Sequence, residues 1–156
     1  NILNTTAIHY IDFLIFHLGI PILTSFLPCQ ISKFGTSNDT AHISLSFSNN
    51  VTASIFVSYA TSYINEFSLF GTKGHLTIRE NMIKIFYPRD SFSKEGNFIS
   101  PPIVKEEQFD MNENYRTSLS SSLKYFINHV QSNTDIPLIH FHTSLHSNQA
   151  MFEISY

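Results

Sequence analysis

His9 and Asp12 lie three residues apart in an apolar run, Ala7–Leu18, that has the pattern of a helix. On a helix, positions i and i+3 share a face, so the imidazole and the carboxylate are expected side by side. Both groups are costly to bury unless they are paired or used. An imidazole titrates close to neutral pH and can move a proton. The spacing therefore predicts either general acid–base chemistry or a structural pair at the start of this helix.

Three of the eight histidines, His140, His142 and His146, lie close together near the end of the chain. Two of them are four residues apart on a predicted helix. Zinc sites need three or four convergent ligands, commonly with Cys or carboxylate help, and Cys29 is remote in sequence. No H-E-x-x-H motif occurs. We assign no metal site and expect most histidines at the surface, which leaves a metal-binding module as the least favoured alternative.

The composition is that of one domain with a hydrophobic core. The chain has 156 residues, of which 42% are hydrophobic and only 13% charged, against about 25% charged residues in a typical soluble domain. Either a second domain or subunit covers the surface, or an AT-rich genome has biased the composition. A net charge of −3 gives no basic footprint for nucleic acid. The lone Cys29 excludes an intrachain disulfide and indicates a reducing, cytoplasmic compartment.

The segment Ala7–Cys29 is hydrophobic enough to raise the question of a membrane span. It contains Asp12, which costs about 2.5–3.5 kcal/mol at the centre of a membrane helix. Gly19 and Pro21 interrupt the run, and no basic segment precedes it. We predict a buried helix followed by a strand, and no membrane association.

Local signals predict a helix Ala7–Leu18, capped by Thr5 or Thr6 and stopped by Gly19. The predicted strands are Ile22–Phe34, the alternating segments around Ile43–Phe47 and Val51–Tyr59, and then Tyr63–Phe70, His75–Arg79, Ile83–Tyr87 and Val104–Asp110. A loop is predicted over Arg89–Ile103, a helix that Asn112 or Asn114 caps and that ends near Gln131, and a last helix over Thr143–Tyr156.

The predicted fold is α+β. Ile43, Leu45 and Phe47 alternate with small hydroxyl residues, and Asn49-Asn50 suits a tight turn into the next strand. Consecutive hairpins of this kind indicate an open, mainly antiparallel sheet of about six strands with helices packed on one face. The other sheet face must then be solvated or covered by a partner.

The chain has no evident phosphate-binding loop of its own. Its five glycines form no G-x-G-x-x-G fingerprint, and no nucleophile elbow is present. Neither a dinucleotide site nor a serine hydrolase site is therefore expected within these residues.

Several segments, in this order and spacing, resemble the C-terminal domain of Gfo/Idh/MocA-type oxidoreductases, the glucose–fructose oxidoreductase and inositol dehydrogenase relatives. The segment Thr5–Leu14, with the stop at Gly19, resembles the His-x-x-Asp helix that opens that domain. Glu66–Ile78 is similar to the family's strand, G-T-x-G turn and strand. Asp39-Thr40 resembles its entry to a hairpin, and the two closing helices fall where the family has them.

The resemblance implies that residues 1–156 are a single C-terminal substrate-binding and oligomerisation domain. A Rossmann domain that binds NAD or NADP would precede it and is absent from this chain. The implied reaction is oxidation or reduction of a secondary alcohol of a sugar, nucleotide sugar or cyclitol. The open sheet face would form a homo-oligomer, a dimer in the simplest case.

In this resemblance His9 matches the catalytic histidine, the general acid/base, and Asp12 matches a supporting acidic residue one turn later. Thr5 stands where the family often has Asp. The family's other catalytic residue, a Lys in a Glu-Lys-Pro segment of the Rossmann domain, is not in this chain. We therefore expect the full-length parent to be an enzyme and this fragment alone to be inactive. The alternative is a non-catalytic scaffold or binding protein that kept the fold.

Overall fold

A computed structural model describes the backbone of residues 2–88 and 92–155, with all of these side chains except those at 23, 139 and 152–155. A π-helical turn, Leu3–Ala7, opens the described chain. The elements that follow are α1 (Ile8–Leu18), β1 (Leu23–Cys29), β2 (Thr40–Ser46), β3 (Thr52–Ser58), β4 (Glu66–Gly71), β5 (Gly74–Arg79), β6 (Met82–Phe86), β7 (Ile103–Gln108), α2 (Met111–Ser132) and α3 (Leu138–Ser155). The predicted α+β class is confirmed, and every strand pairing between these elements is antiparallel.

The chain divides into two compact units, which are described separately. One unit comprises Asn1–Tyr63 and Asp135–Tyr156, and the other comprises Ile64–Thr134. The strands pair as a three-stranded sheet in the order β1-β2-β3 and a four-stranded sheet in the order β4-β5-β6-β7. The described residues thus hold the seven predicted strands, but in two sheets rather than in the single open sheet of about six strands that the sequence pattern predicted.

The first unit has a helix-on-sheet core. Ile43 of β2 lies opposite Ile55 of β3, and the inward side chains of both strands are buried. Ile11 and Ile15 of α1 pack into the same cluster. α3 packs against α1 and β1 and adds Ala150 and Met151 to the core. Its other members are Ile2, Leu3, Ala7, Ala41, Leu45, Phe47 and Val57. The helices and the apolar sheet face therefore fix where the start of α1 lies.

The predicted hairpin turn between β2 and β3 is confirmed. Asn50 adopts a left-handed backbone with φ 61°, which Asn tolerates better than most residues. The Phe47 N–H donates to the Val51 carbonyl at 2.9 Å and closes the loop.

The predicted cap of α1 at Thr5 or Thr6 is wrong, because the helix does not begin there. A π-helical turn continues α1 backward, with the Ile8 N–H donating to the Leu3 carbonyl five residues earlier. Neither threonine hydroxyl caps the helix, and both lie within hydrogen-bond distance of Tyr59 Oη. The predicted stop is confirmed: Gly19 has φ 86°, and its N–H donates to the Ile15 carbonyl at 2.9 Å.

β1 is shorter than the predicted strand Ile22–Phe34, because the chain leaves the sheet after Cys29. The carboxylate of Asp39 accepts hydrogen bonds from the backbone N–H groups of Ile31 and Ser32 at 3.0 and 2.9 Å. These bonds fold the segment into a loop, so the N–H groups that an extended strand would pair with its neighbour are used by one side chain.

The second unit is a meander with two tight turns. Between β4 and β5, Gly74 has φ 136°, and a Cβ at that position would clash with the Phe86 carbonyl oxygen. Only glycine fits there. Between β5 and β6, Glu80 and Asn81 both have positive φ, 50° and 65°, as a two-residue hairpin turn requires. Both turns occur where the sequence predicted them.

Two helix starts and one strand start differ from expectation. Asp110, and neither Asn112 nor Asn114, caps α2. α3 begins at Leu138, five residues before the predicted start, directly after Pro137. β4 begins at Glu66 rather than at Tyr63.

Part of the predicted loop Arg89–Ile103, namely residues 89–91, lies outside the described residues. In the described remainder, Phe92 and Phe98 form an isolated antiparallel bridge. None of the described helices has the length and apolar character that crossing a membrane requires.

Candidate functional site

His9 lies in the first turn of α1 with its side chain exposed. Phe13, one turn further along the helix, is 48% exposed and lies on the same side. Ile11 and Ile15 face the core. Within residues 2–88 and 92–155, His9 has no hydrogen bond or ion pair, so the imidazole is open to a ligand.

Asp12 is half-buried, and its carboxylate forms a hydrogen bond that joins α1 to α3. The Ser147 hydroxyl of α3 donates to Asp12 Oδ1 at 2.6 Å. The same oxygen of Ser147 also lies 2.8 Å from the Thr143 carbonyl, so its one hydrogen is shared between two acceptors. Among the described residues, no ion pair joins Asp12 to His9. The structure therefore places both predicted residues on one helix and shows Asp12 tying α1 to α3.

Thr5 lies one turn before His9 and belongs to a cluster of three hydroxyls. Thr5 Oγ1 is 2.6 Å from Tyr59 Oη, and Thr6 Oγ1 is 2.8 Å from the same oxygen. Hydrogen bonds from Thr5 and then Thr6 lower the pKa of Tyr59 below its ordinary value, because they stabilise the phenolate. The Tyr59 side chain is 61% exposed.

The backbone of Tyr59 is fixed by a second network. Its N–H donates to the Asp39 carbonyl at 2.8 Å. The Asp39 carboxylate is itself held by four donors: the backbone N–H groups of Ile31 and Ser32 and the hydroxyls of Ser32 and Thr40. These donors, the Ile31 N–H foremost, hold the pKa of Asp39 well below its usual range. The buried Asp39, whose carboxylate is held by these donors, thus fixes the backbone of Tyr59, the residue that contacts Thr5 and Thr6.

Positive charge is scarce around this site. The segments 1–63 and 135–156 contain one basic residue other than histidine, Lys33, against four acidic ones. A negatively charged ligand group would gain little from these residues. Uncharged donors and acceptors dominate the surface near His9.

Sequence reasoning missed Tyr59, Ser147 and the role of Asp39. The alternating pattern places Tyr59 on the apolar side of a strand. Its position directly after the last residue of β3 is the one signal that its side chain could lie outside the core. The Ser147–Asp12 bond spans 135 positions, so no local pattern could have found it. Asp39 was noted only as part of a hairpin entry.

The histidines near the chain end do not converge on a metal. His146 Nδ1 is paired with Gln149 Oε1 at 3.1 Å. Over the ranges 2–88 and 92–155, no three His, Cys, Asp or Glu side chains lie close enough together to hold an ion. The same ranges offer no parallel strand pair, so no βαβ unit for a dinucleotide is formed there.

Solved structures share this fold at low sequence identity. An oxidoreductase from Agrobacterium radiobacter, in complex with NAD+, L-tartaric acid and magnesium, superposes with a TM-score of 0.69 and 17% identity over 98% of this chain and 46% of its own. A UDP-N-acetylglucosamine 3-dehydrogenase from Acidithiobacillus ferrooxidans gives 0.66 and 13% over 96% and 44%. A biliverdin reductase from Synechocystis gives 0.63 and 12% over 96% and 44%. This chain thus spans less than half the length of these proteins.

A comparison with curated protein sequences gives no match. The family model of the GFO/IDH/MocA C-terminal domain matches residues 1–77, a segment that contains Thr5, His9, Asp12, Asp39 and Tyr59. Residues 1–77 thus match the GFO/IDH/MocA C-terminal domain family, as the sequence resemblance predicted, and the chain as a whole shares its fold with the structures above.

Proposed function

We propose that this chain is the substrate-binding and oligomerisation domain of an NAD(P)-dependent oxidoreductase that acts on a secondary alcohol of a sugar, nucleotide sugar or cyclitol. The observation that carries the proposal is His9, which is exposed, has no hydrogen bond or ion pair to the described part of the chain, and lies on the first turn of a helix whose other face packs into the core. The match of residues 1–77 to the GFO/IDH/MocA C-terminal domain family supports the reaction class. Among the similar structures, one is a complex with NAD+ and another is a nucleotide-sugar dehydrogenase.

In this proposal His9 accepts the hydroxyl proton as the carbinol becomes a carbonyl, and returns it in the reverse direction. Imidazole suits both roles because it exchanges a proton near neutral pH. Asp12 supports the reaction indirectly: its bond to Ser147 holds α1 against α3 and so fixes where His9 lies. Thr5 and its partner Tyr59 line the turn before His9.

NAD or NADP is proposed as the cofactor of the complete protein, bound by a Rossmann domain that is separate from these residues. The antiparallel strands described above provide no dinucleotide site. The exposed side of α1, which carries Phe13 at 48% and Phe16 at 53% exposure, is the surface proposed to pack against that domain. We expect the 156-residue chain alone to be inactive. Tight stoichiometric NAD binding by the isolated chain, measured by titration calorimetry, would contradict the proposal that the cofactor site lies in a separate Rossmann domain.

The open face of the three-stranded sheet is proposed as the contact between subunits, with a dimer as the simplest assembly. Leu27, His42 and Phe56 form a row across its three strands, and Leu27 and Phe56 are 64% and 61% exposed. The cytoplasm is the proposed location, because Cys29 is an exposed free thiol and a reducing compartment keeps it so.

The test of the reaction is His9→Asn in the full-length protein that carries this chain. With sugars, nucleotide sugars and cyclitols as substrates, the absorbance of reduced nicotinamide reports turnover. We expect kcat to fall by about 100- to 10,000-fold, the usual contribution of a general base, with an unchanged circular dichroism spectrum. His17→Asn, at the other end of α1, is the matched control. Unchanged turnover in His9→Asn would refute the assignment, and a wild-type protein that oxidises none of the substrates would favour a non-catalytic scaffold.

A further inference from the structure

The three hydroxyls of Thr5, Thr6 and Tyr59, called here the hydroxyl cluster, come from two distant parts of the chain. Tyr59 follows β3, whereas both threonines lie in the π-helical turn before α1. Their bonds to Tyr59 Oη are short, 2.6 and 2.8 Å. The cluster joins a strand end to the turn that precedes His9.

Tyr59 is placed too firmly for a surface tyrosine that only fills space. Its backbone N–H is bonded to Asp39, whose carboxylate has four donors of its own. Its phenol is bonded to two hydroxyls although the side chain is 61% exposed. An exposed polar group that is held from both ends can receive a ligand with little loss of side-chain entropy.

Proton counting shows what the cluster can bind. Three hydroxyls bring three hydrogens. The two bonds that meet at Tyr59 Oη use two of them, and Thr5 Oγ1 also lies 3.5 Å from the Ile2 carbonyl, which can take the third. Each hydroxyl oxygen has two lone pairs, so Tyr59 and Thr6 retain the capacity to accept. A ligand hydroxyl, which can donate, complements such acceptors better than a carboxylate, which only accepts.

The charge of the surroundings makes the same distinction. No lysine or arginine occurs from Ile2 to Ser32, in β3 or in α3. Asp12 is the nearest charged residue along α1 and carries a negative charge. A carboxylate or phosphate placed at the cluster would therefore lose hydration without gaining a cationic partner from these segments.

Thr5 and Thr6 precede His9 by four and three residues, which places all three on neighbouring positions of one helical turn. A substrate whose reacting hydroxyl meets His9 would bring an adjacent carbon toward the cluster. We propose that Tyr59, with Thr5 and Thr6, forms a specificity-determining subsite for an uncharged hydroxyl on the carbon next to the one that is oxidised. This inference rests on the proposed function of His9 and adds to it the residues that would select a neutral vicinal diol over a hydroxy acid.

The test compares Tyr59→Phe with wild type in the full-length protein, using a polyol substrate and its deoxy analogue that lacks the neighbouring hydroxyl. We expect Tyr59→Phe to raise KM for the polyol by about three- to tenfold, the usual value of one hydrogen bond. KM for the deoxy analogue should not change. If Tyr59 had a purely structural role, the variant would change KM for both substrates to the same extent. Tyr63→Phe, a tyrosine in the same unit that is 85% exposed, is the control and should change neither.

A second pair of variants separates packing from hydrogen bonding in the cluster. Thr6→Val removes the hydroxyl but keeps the shape, whereas Thr6→Ser keeps the hydroxyl. We expect Thr6→Val to behave as Tyr59→Phe does and Thr6→Ser to retain the wild-type KM. Binding of the polyol without cofactor is followed separately by NMR of the Thr6 methyl group, which should shift with the polyol and not with the deoxy analogue.

The outcomes keep the two proposals apart. If the wild type is active and Tyr59→Phe changes KM for neither substrate, or changes both equally, the subsite is overturned. His9 then still stands as the proposed base. A wild type that oxidises neither substrate and shows no Thr6 shift overturns the proposed function and the subsite with it. Preference for a hydroxy acid over the neutral diol likewise contradicts the subsite.

Discussion

Ser147 of α3 donates a 2.6 Å hydrogen bond to the carboxylate of Asp12 in α1. Ser147 is 1% exposed, so this bond lies where two helices meet. It gives Asp12 a structural function close to His9: the carboxylate holds the helix, and the helix presents the imidazole.

Removing the Ser147 hydroxyl should loosen this helix pair. We expect Ser147→Ala to lower the free energy of unfolding by about 1.5–3 kcal/mol, the range for hydrogen bonds to a charged group, in a urea titration followed by circular dichroism. Ser144→Ala is the control, because the hydroxyl of that exposed serine donates to the carbonyl of His140 on its own helix. If both variants lose the same stability, the contact with Asp12 has no special weight.

Asp39 should make the protein sensitive to acid. The hydrogen-bond donors of Ile31 and Ser32 lower the pKa of Asp39 in the folded state, whereas the pKa of Asp in an unfolded chain is about 3.9. The folded state therefore binds fewer protons, and the stability that Asp39 contributes is present above the unfolded pKa and is lost as the pH falls. We expect Asp39→Asn to be less stable than wild type at neutral pH, because its amide NH2 would face the N–H donors of Ile31 and Ser32. We also expect the variant to lose less stability than wild type when the pH is lowered from neutral to strongly acidic.

The measurement for Asp39 is a set of denaturant titrations at successive pH values. Asp135→Asn, which removes one exposed carboxylate from the same unit, is the matched control for the change in net charge. Parallel pH curves for wild type and Asp39→Asn would contradict the linkage.

The cap of α2 offers a direct comparison of three candidate residues. Asp110 accepts from the N–H groups of Asn112 and Glu113 at 2.8 and 3.2 Å. We expect Asp110→Ala to cost about 1 kcal/mol of stability, the typical value of an N-cap. Asn112→Ala and Asn114→Ala should cost clearly less in the same thermal unfolding assay. The opposite order would mean that the helix begins where the sequence pattern predicted.

The α2 cap also shows where sequence reasoning stops. Asp110, Asn112 and Asn114 are all good capping residues, so propensity alone could not choose between them. The Phe109 N–H donates to the Asn81 carbonyl at 2.9 Å, which keeps the chain extended up to the residue before Asp110. A partner 28 positions away thus decides where the helix starts.

Turns were predictable because their chemistry is local. Gly19, Asn50 and Asn81 adopt positive φ, which glycine and asparagine do more readily than other residues. The site was predictable only in part. His9 and Asp12 follow from helical spacing and the family resemblance, whereas the bonds from Thr5 to Tyr59 and from Asp12 to Ser147 join residues 54 and 135 positions apart. Such contacts arise from packing and leave no local pattern.

The open sheet face provides the last prediction, on assembly. Leu27 and Phe56 flank His42 across three strands, and His42 Nε2 is paired with Ser54 Oγ at 2.8 Å. If this face joins two subunits, the Leu27→Ser/Phe56→Ser double variant should shift the full-length protein from dimer to monomer, because burial of the two apolar side chains stabilises the contact. Size-exclusion chromatography with light scattering measures the molar mass. Phe34→Ser, a loop residue that is 88% exposed and lies outside the strands, should leave the assembly unchanged. A dimer that persists in the double variant would show that another surface holds the subunits together.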